Sequence, residues 1–150
     1  MKEFFKKVFN FALVIIFLAV VLFFYTYTKN IGPHVKIAGQ IIRVEVADIP
    51  ESQAQGLSAR QDHLAGGEGM LFVFDAPGRY GFWMKDMNFP IDIIWLGEDM
   101  KVVYIVADAD PTSYPAVFSP DTDAKYVLEV PAGFSRTNNL KVGDKVDIAY

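Results

Sequence analysis

Cysteine is absent from the 150 residues. That absence excludes disulfides, thiolate metal sites, a cysteine nucleophile and a lipidated cysteine of the lipoprotein kind. Histidine is scarce, with only His34 and His63, and two imidazoles without a thiol do not build the usual zinc shells. The acids Asp108, Asp110, Asp121 and Asp123 lack the order of an EF-hand calcium loop. No metal or other cofactor is therefore expected. Clustered basic residues are missing too. Residues 1–30 hold four lysines and one glutamate, a balance of +3, so the remaining residues carry −7 of the overall −4. An acidic body without a run of Lys or Arg does not suit a phosphate backbone, and nucleic acid is not expected as a partner. Internal repeats and low-complexity tracts are likewise missing.

The sequence is instead rich in apolar residues, at 52%, and in aromatics, at 15%. An uninterrupted apolar run covers residues 8–25, VFNFALVIIFLAVVLFFY, in which Asn10 is the only strongly polar member. As a helix this run is roughly 27 Å long at 1.5 Å per residue, close to the bilayer hydrocarbon thickness of about 30 Å. Apolar side chains surround every face, which disfavours a helix lying on the membrane surface. The run exceeds the usual apolar region of a cleaved signal peptide and ends in Tyr25-Thr-Tyr27 without a small-residue cleavage pair. An uncleaved anchor over residues 8–27 is therefore expected. Lys2, Lys6 and Lys7 precede it, which orients the N-terminus to the cytoplasm and the rest to the extracytoplasmic side. Residues 1–7 become a cytoplasmic tail, residues 28–34 a short tether, and residues 35–150 one folded domain with the lipid bilayer as a neighbour.

In that domain, residues 40–47 (QIIRVEVA) alternate apolar and polar side chains, the pattern of a half-solvated strand. A turn at Ala38-Gly39 leads back to residues 35–37. Asp48 as N-cap, Pro50 in the first turn and Gly56 as a stop predict a short helix. Further strands are expected over residues 70–74, 80–85, 91–96, 101–108, 125–130 and 145–149, each β-branched or aromatic and bounded by Gly, Pro or Asp. Residues 102–107 (VVYIVA) are apolar on both faces, which predicts a strand covered on both sides and hence two layers. The expected fold is all-β, a jelly-roll-like sandwich or partly closed barrel with one or two short helices, preceded by one transmembrane helix.

Six pieces in order carry a resemblance. They are Gly56-Leu57 with Arg60, Gly69-Met-Leu-Phe-Val-Phe74, Phe82-Trp-Met-Lys85, Pro90-Ile-Asp92, Val127-Leu-Glu-Val-Pro-Ala-Gly133 and Val142-Gly-Asp-Lys-Val146. Together they resemble the DUF192 family, also called UPF0127, whose bacterial and archaeal domains often follow an N-terminal signal or anchor. The resemblance spans nearly all of residues 36–149, implies a small all-β, jelly-roll-like fold, and brings no activity with it. Two positions depart from the family pattern: Ser58 stands where Met is typical after Gly-Leu, and Asp86-Met87 where Asn-Thr is typical after Trp-Met-Lys.

Catalytic chemistry finds little support in the residues. Gly56-Leu-Ser58-Ala-Arg60 approaches the nucleophile elbow, but Arg60 occupies the place of the small fifth residue that the tight turn needs. The segment around Trp83, Lys85 and Asp92, with Arg60 converging, offers an aromatic platform with hydrogen-bonding charges, suited to a polar small ligand such as a sugar. The bland alternative buries Trp83 in the core and pairs Lys85 with Asp92. Glu129 lies between Leu128 and Val130 in an apolar strand and needs either a partner, with Arg60 or Arg79 at hand, or a raised-pKa role. The expected function is a non-catalytic binding module for a polar small ligand or an envelope protein, with Arg60, Trp83, Lys85, Asp92 and Glu129 as ligand-binding residues. The alternative is a small hydrolase or carbohydrate-active enzyme using Asp92 or Glu129.

Overall fold

The computed structural model describes residues 1–29 and 32–150, and in the first helix the side chains of residues 1, 4, 6, 9–23 and 25. The chain divides into two units, Met1–Gly32 and Pro33–Tyr150. The first holds α1 (Lys2–Lys29), 28 residues long. Its described apolar side chains are exposed, Phe9, Phe17 and Leu22 among them. Among the described residues no helix is long and apolar enough to cross a membrane. The unbroken run of described side chains is residues 9–23, so the side chains of residues 8, 24, 26 and 27 in the expected 8–27 span, and residues 30 and 31 of the expected tether, lie outside what is described.

The second unit is built from β1 (His34–Ile37), β2 (Gln40–Ala47), α2 (Pro50–Gln55), β3 (Glu68–Gly78), β4 (Ile91–Leu96), β5 (Val102–Ala109), a 3-10 turn (Pro111–Ser113), β6 (Ala124–Pro131), α3 (Phe134–Thr137) and β7 (Val146–Ala149). The strands form one seven-stranded sheet in the order β5-β4-β6-β3-β2-β1-β7. All neighbours are antiparallel except β2 and β3, which α2 and its following loop connect as a parallel pair. The two edge strands meet at one corner. There the Val102 amide donates to the Asp144 carbonyl, Gly143 donates to Val102, and Val146 donates to Met100. Curling therefore satisfies edge groups that a flat sheet would leave unpaired. The all-β expectation holds, in its partly closed barrel form rather than as two stacked sheets.

Curling gives the sheet an inner and an outer face, each with its own core. Inside pack Val35, Ile42, Leu71, Ile94, Leu128 and Val130, with Val102 and Val146 arriving from the opposite edges. Outside pack Met70, Phe72, Ile91, Ile93, Trp95 and Val127 under Leu57, Leu64, Met84 and Phe89 from the loops. β4, in which all six residues are buried, is covered on both faces, as is β6 over residues 126–130. The VVYIVA strand is β5, an edge strand with exposed positions; Val102 and Ile105 pack against the inner core and Val103 and Val106 against the outer, so it touches both layers without the full two-sided burial expected. Residues 80–85 are not a strand either. Gly78 and Gly81 flank the start of this segment, and only Phe82 makes a bridge, to Phe118. The helix cap also moves by one position: Ile49, not Asp48, is the N-cap of α2, and the Ser52 hydroxyl donates back to its carbonyl.

Candidate functional site

Alternation along β4 and β6 decides what the two buried carboxylates do. Ile93 stands opposite Glu129, and Asp92 opposite Val130. Opposed residues in an antiparallel pair share a face while successive residues alternate, so Glu129 faces the outer side and Asp92 the inner.

Asp92 is fully buried and supplied with donors. The amides of Asp108 and Gly133 donate to its Oδ1 at 2.8 and 3.0 Å, and the amide of Ser135 to its Oδ2 at 2.7 Å. Gly133 reaches this position with φ at 82°, a backbone conformation that glycine adopts without strain. Asp92 thus clamps the end of β5 and the start of α3 onto β4. No ion pair joins it to Lys85, whose carbonyl instead accepts from the Ser58 hydroxyl.

Glu129 is the opposite case. It is 5% exposed, its Oε2 has no hydrogen-bond partner among the described residues, and burial alone pushes its carboxyl up to about 8 from an ordinary 4.5. The expected pairing with Arg60 or Arg79 does not occur, because Arg60 bonds Glu45 at 2.7 Å and Arg79 faces Asp123 at 3.8 Å. The backbone around it is crowded: a Cβ on Gly69 would come within 2.6 Å of the Glu129 carbonyl oxygen.

Glu129 contributes to the wall of a pocket of about 270 Å3. Phe72 and Phe74 reach this pocket from β3, and Tyr80, Phe82 and Trp83 from the following loop. The loop is held in place by three contacts. The Trp95 indole donates to the Tyr80 carbonyl at 2.8 Å, Phe82 and Phe118 exchange backbone hydrogen bonds, and Tyr80 stacks on Phe74 with ring centroids 3.5 Å apart. Phe82 stands edge-on to Phe72 at 4.8 Å. Trp83 is 54% exposed and meets Tyr114 edge-on at 6.2 Å, so the indole that fills the core is Trp95 and not Trp83. The far side is the end of α2 and the turn after it, tied to the loop where Ala59 donates to the Asp86 carbonyl and the Asn88 amide to that of Arg60.

Of the five residues expected to bind a ligand, Trp83 and Glu129 come together here. Arg60 lines a separate groove with Arg43, Glu45 and Glu68, where two ion pairs, Arg60–Glu45 and Arg43–Glu68, set the charges against one another. Asp92 lies on the other face, and Lys85 lines neither cavity. Because residues 80–85 form a loop and not the expected strand, successive side chains need not alternate there, and Phe82 and Trp83 both line this pocket. Phe72, Phe74 and Tyr80 were missed, although the Phe72–Phe74 spacing inside a strand is a legible sign that both share one face. Among the described residues no group of His, Asp and Glu is placed to hold a metal ion.

Sequence and structure comparisons agree on kinship. Residues 33–148 match the model of the DUF192 family, described as an uncharacterised ACR. A UPF0127 protein of Pyrococcus abyssi is 31% identical over 111 residues, 70% of this chain and 85% of that protein. A crystal structure of a protein of unknown function from Novosphingobium aromaticivorans superimposes with a TM-score of 0.71 at 33% identity, covering 76% of this chain and 83% of that one. A Sinorhizobium meliloti structure described as a candidate transcription regulator also gives a TM-score of 0.71, at 28% identity, with 77% of this chain and 92% of that one covered.

Proposed function

The chain belongs to the DUF192 family, and we propose that its β domain is a non-catalytic module that binds a small ligand with a polar group in the pocket beside Glu129. The observation that carries this reading is Glu129, whose buried Oε2 has no partner among the described residues, in a pocket wall that it shares with five aromatic side chains. A buried polar atom without a partner costs about 1–3 kcal/mol, and a ligand that supplies the partner recovers it. The pairing of Glu129 with Asp92 as acid and base is disfavoured because the sheet lies between them. Arg60, Lys85 and Asp92 are assigned to holding the scaffold, leaving Trp83 and Glu129 as the ligand-facing members of the expected set. Regulation of transcription, the description of the Sinorhizobium meliloti relative, has no support in the charge of this chain, which is −7 beyond residue 30.

We further propose that residues 8–27 anchor the chain in the cytoplasmic membrane, with the N-terminus inside and the β domain on the extracytoplasmic side. The apolar run, the lysines before it and the exposed apolar side chains of α1 support this. A phosphatase reporter fused after Tyr150 is expected to be active, since it folds only outside the cytoplasm; a silent phosphatase with a soluble fusion overturns the placement.

The binding reading is tested by NMR of the full chain in detergent micelles, titrated with monosaccharides, amino acids and small amines. Saturable shifts at the Trp83 indole and the Glu129 amide are expected. Shifts confined to the Arg43–Arg60 groove, or none at all, overturn it.

A further inference from the structure

The hydrogen-bonding state of the pocket narrows what it accepts. Its other polar side chains already donate to backbone carbonyls of the protein: Gln53 to Val73, Gln55 to Ser58, Ser58 to Lys85 and Tyr80 to Ala76. Among the described residues that line the pocket, the buried side-chain atom left without a partner is the Glu129 Oε2, an acceptor when ionised. Among the described residues no Lys, Arg or His lines the cavity, so an anion would find no opposite charge there and would face both a carboxyl and the negative faces of aromatic rings. A cation reverses both terms, since ring faces attract it and a buried carboxylate gains a charge-assisted hydrogen bond.

We infer that the pocket takes an organic cation: a protonated primary or secondary amine on a compact apolar or aromatic body, its N–H groups donating to Glu129 and its charge lying against Phe82 and Trp83. This rests on the reading of the pocket as a ligand site and adds the ligand's chemical class. The volume, about 270 Å3, is at the small end for ligand pockets and sets a limit on the body.

Binding is coupled to a proton. Burial favours the protonated carboxyl at neutral pH. When an ammonium group binds, the Glu129 O–H bond breaks, its proton leaves to solvent, and a neutral ion pair remains. The other residues facing Glu129 carry no competing charge: Met70 and Ile93 stand opposite it on β3 and β4, α2 contributes glutamines, and the loop contributes the Tyr80 phenol, already bonded to Ala76.

The test is calorimetry on the full chain in detergent micelles with three probes of one shape: 2-phenylethylamine, 2-phenylethanol and 3-phenylpropionate, at pH 7. The amine is expected to bind at least about tenfold more tightly than either of the others. In buffers of different ionisation enthalpy it should release a proton, approaching one per amine bound. Glu129→Gln should remove the preference and the proton release. Trp83→Ala, at a half-exposed position, should weaken the amine severalfold and serves if Glu129→Gln does not fold. Equal or tighter binding of the alcohol or the acid overturns the assigned class while leaving a binding pocket. An amine affinity unchanged in both variants also overturns it. Failure of all three probes to bind up to about 10 mM, where an affinity near −3 kcal/mol would register, overturns the class and the pocket reading together.

Discussion

The two faces of the curled sheet treat a buried carboxylate in opposite ways. On the inner face three backbone amides converge on Asp92, and that acid ties β4, β5 and α3 into one piece. On the outer face Glu129, one position along in register on the neighbouring strand, has an oxygen without a partner among the described residues and shares a pocket wall with five aromatic side chains. Burying a carboxyl is unfavourable on either side. The inner face offsets that cost with donors from its own backbone and becomes rigid scaffold, whereas the outer face leaves it standing, and an uncompensated group beside a cavity is where an outside molecule gains most.

The sharpest way to break this contrast is at Asp92. Asp92→Ala leaves three buried amides without their acceptor, and roughly 5 kcal/mol of stability should be lost. Denaturant unfolding followed by near-ultraviolet circular dichroism of the buried Trp95 would register it; a loss under about 1 kcal/mol would mean that the clamp is dispensable. Glu129 should act with the opposite sign. Its folded pKa of about 8 lies above its ordinary 4.5, so between those values the folded chain holds a proton that the unfolded chain releases. Stability therefore falls as pH rises through that window, on the order of 5 kcal/mol in all. Glu129→Gln should flatten the dependence and leave the variant more stable than the parent at pH 9; a parent whose stability does not fall between pH 5 and 9 contradicts the burial argument. Trp83→Ala should change stability by less than about 0.5 kcal/mol, because the side chain is 54% exposed. A large loss there would make Trp83 part of the scaffold and blur the distinction between the faces.

Much of the scaffold was legible in the sequence, because strand alternation and turn residues are local signals. The 40–47 strand, the 91–96 strand and the short helix before Gly56 all appear close to where the pattern puts them. What failed was non-local. Whether an apolar strand is covered on both sides depends on its place in the sheet, and VVYIVA took an edge while IDIIWL took the interior position beside it. α3 was not foreseen, since its four residues start from an aspartate 42 positions upstream of Phe134. In the candidate site, Glu129 stood out as a lone acid in an apolar strand and Trp83 as an aromatic platform beside charged residues. Of their companions, Phe72 and Phe74 share a strand face and were legible from their spacing, whereas Tyr80 was hidden because a loop, not strand periodicity, brings it there.

The pairing of β1 with β7 sets His34 directly across from Ala149, so the first and last strands of the β domain run side by side at the sheet's edge. Joining those neighbouring ends with a short Gly-Ser bridge and reopening the chain at an exposed tip such as Glu98-Asp99 would yield a circular permutant with every strand pairing retained. The same adjacency means that a tag placed after Tyr150 emerges next to the point where the polypeptide enters the domain, well suited to reporting distances from that entry point.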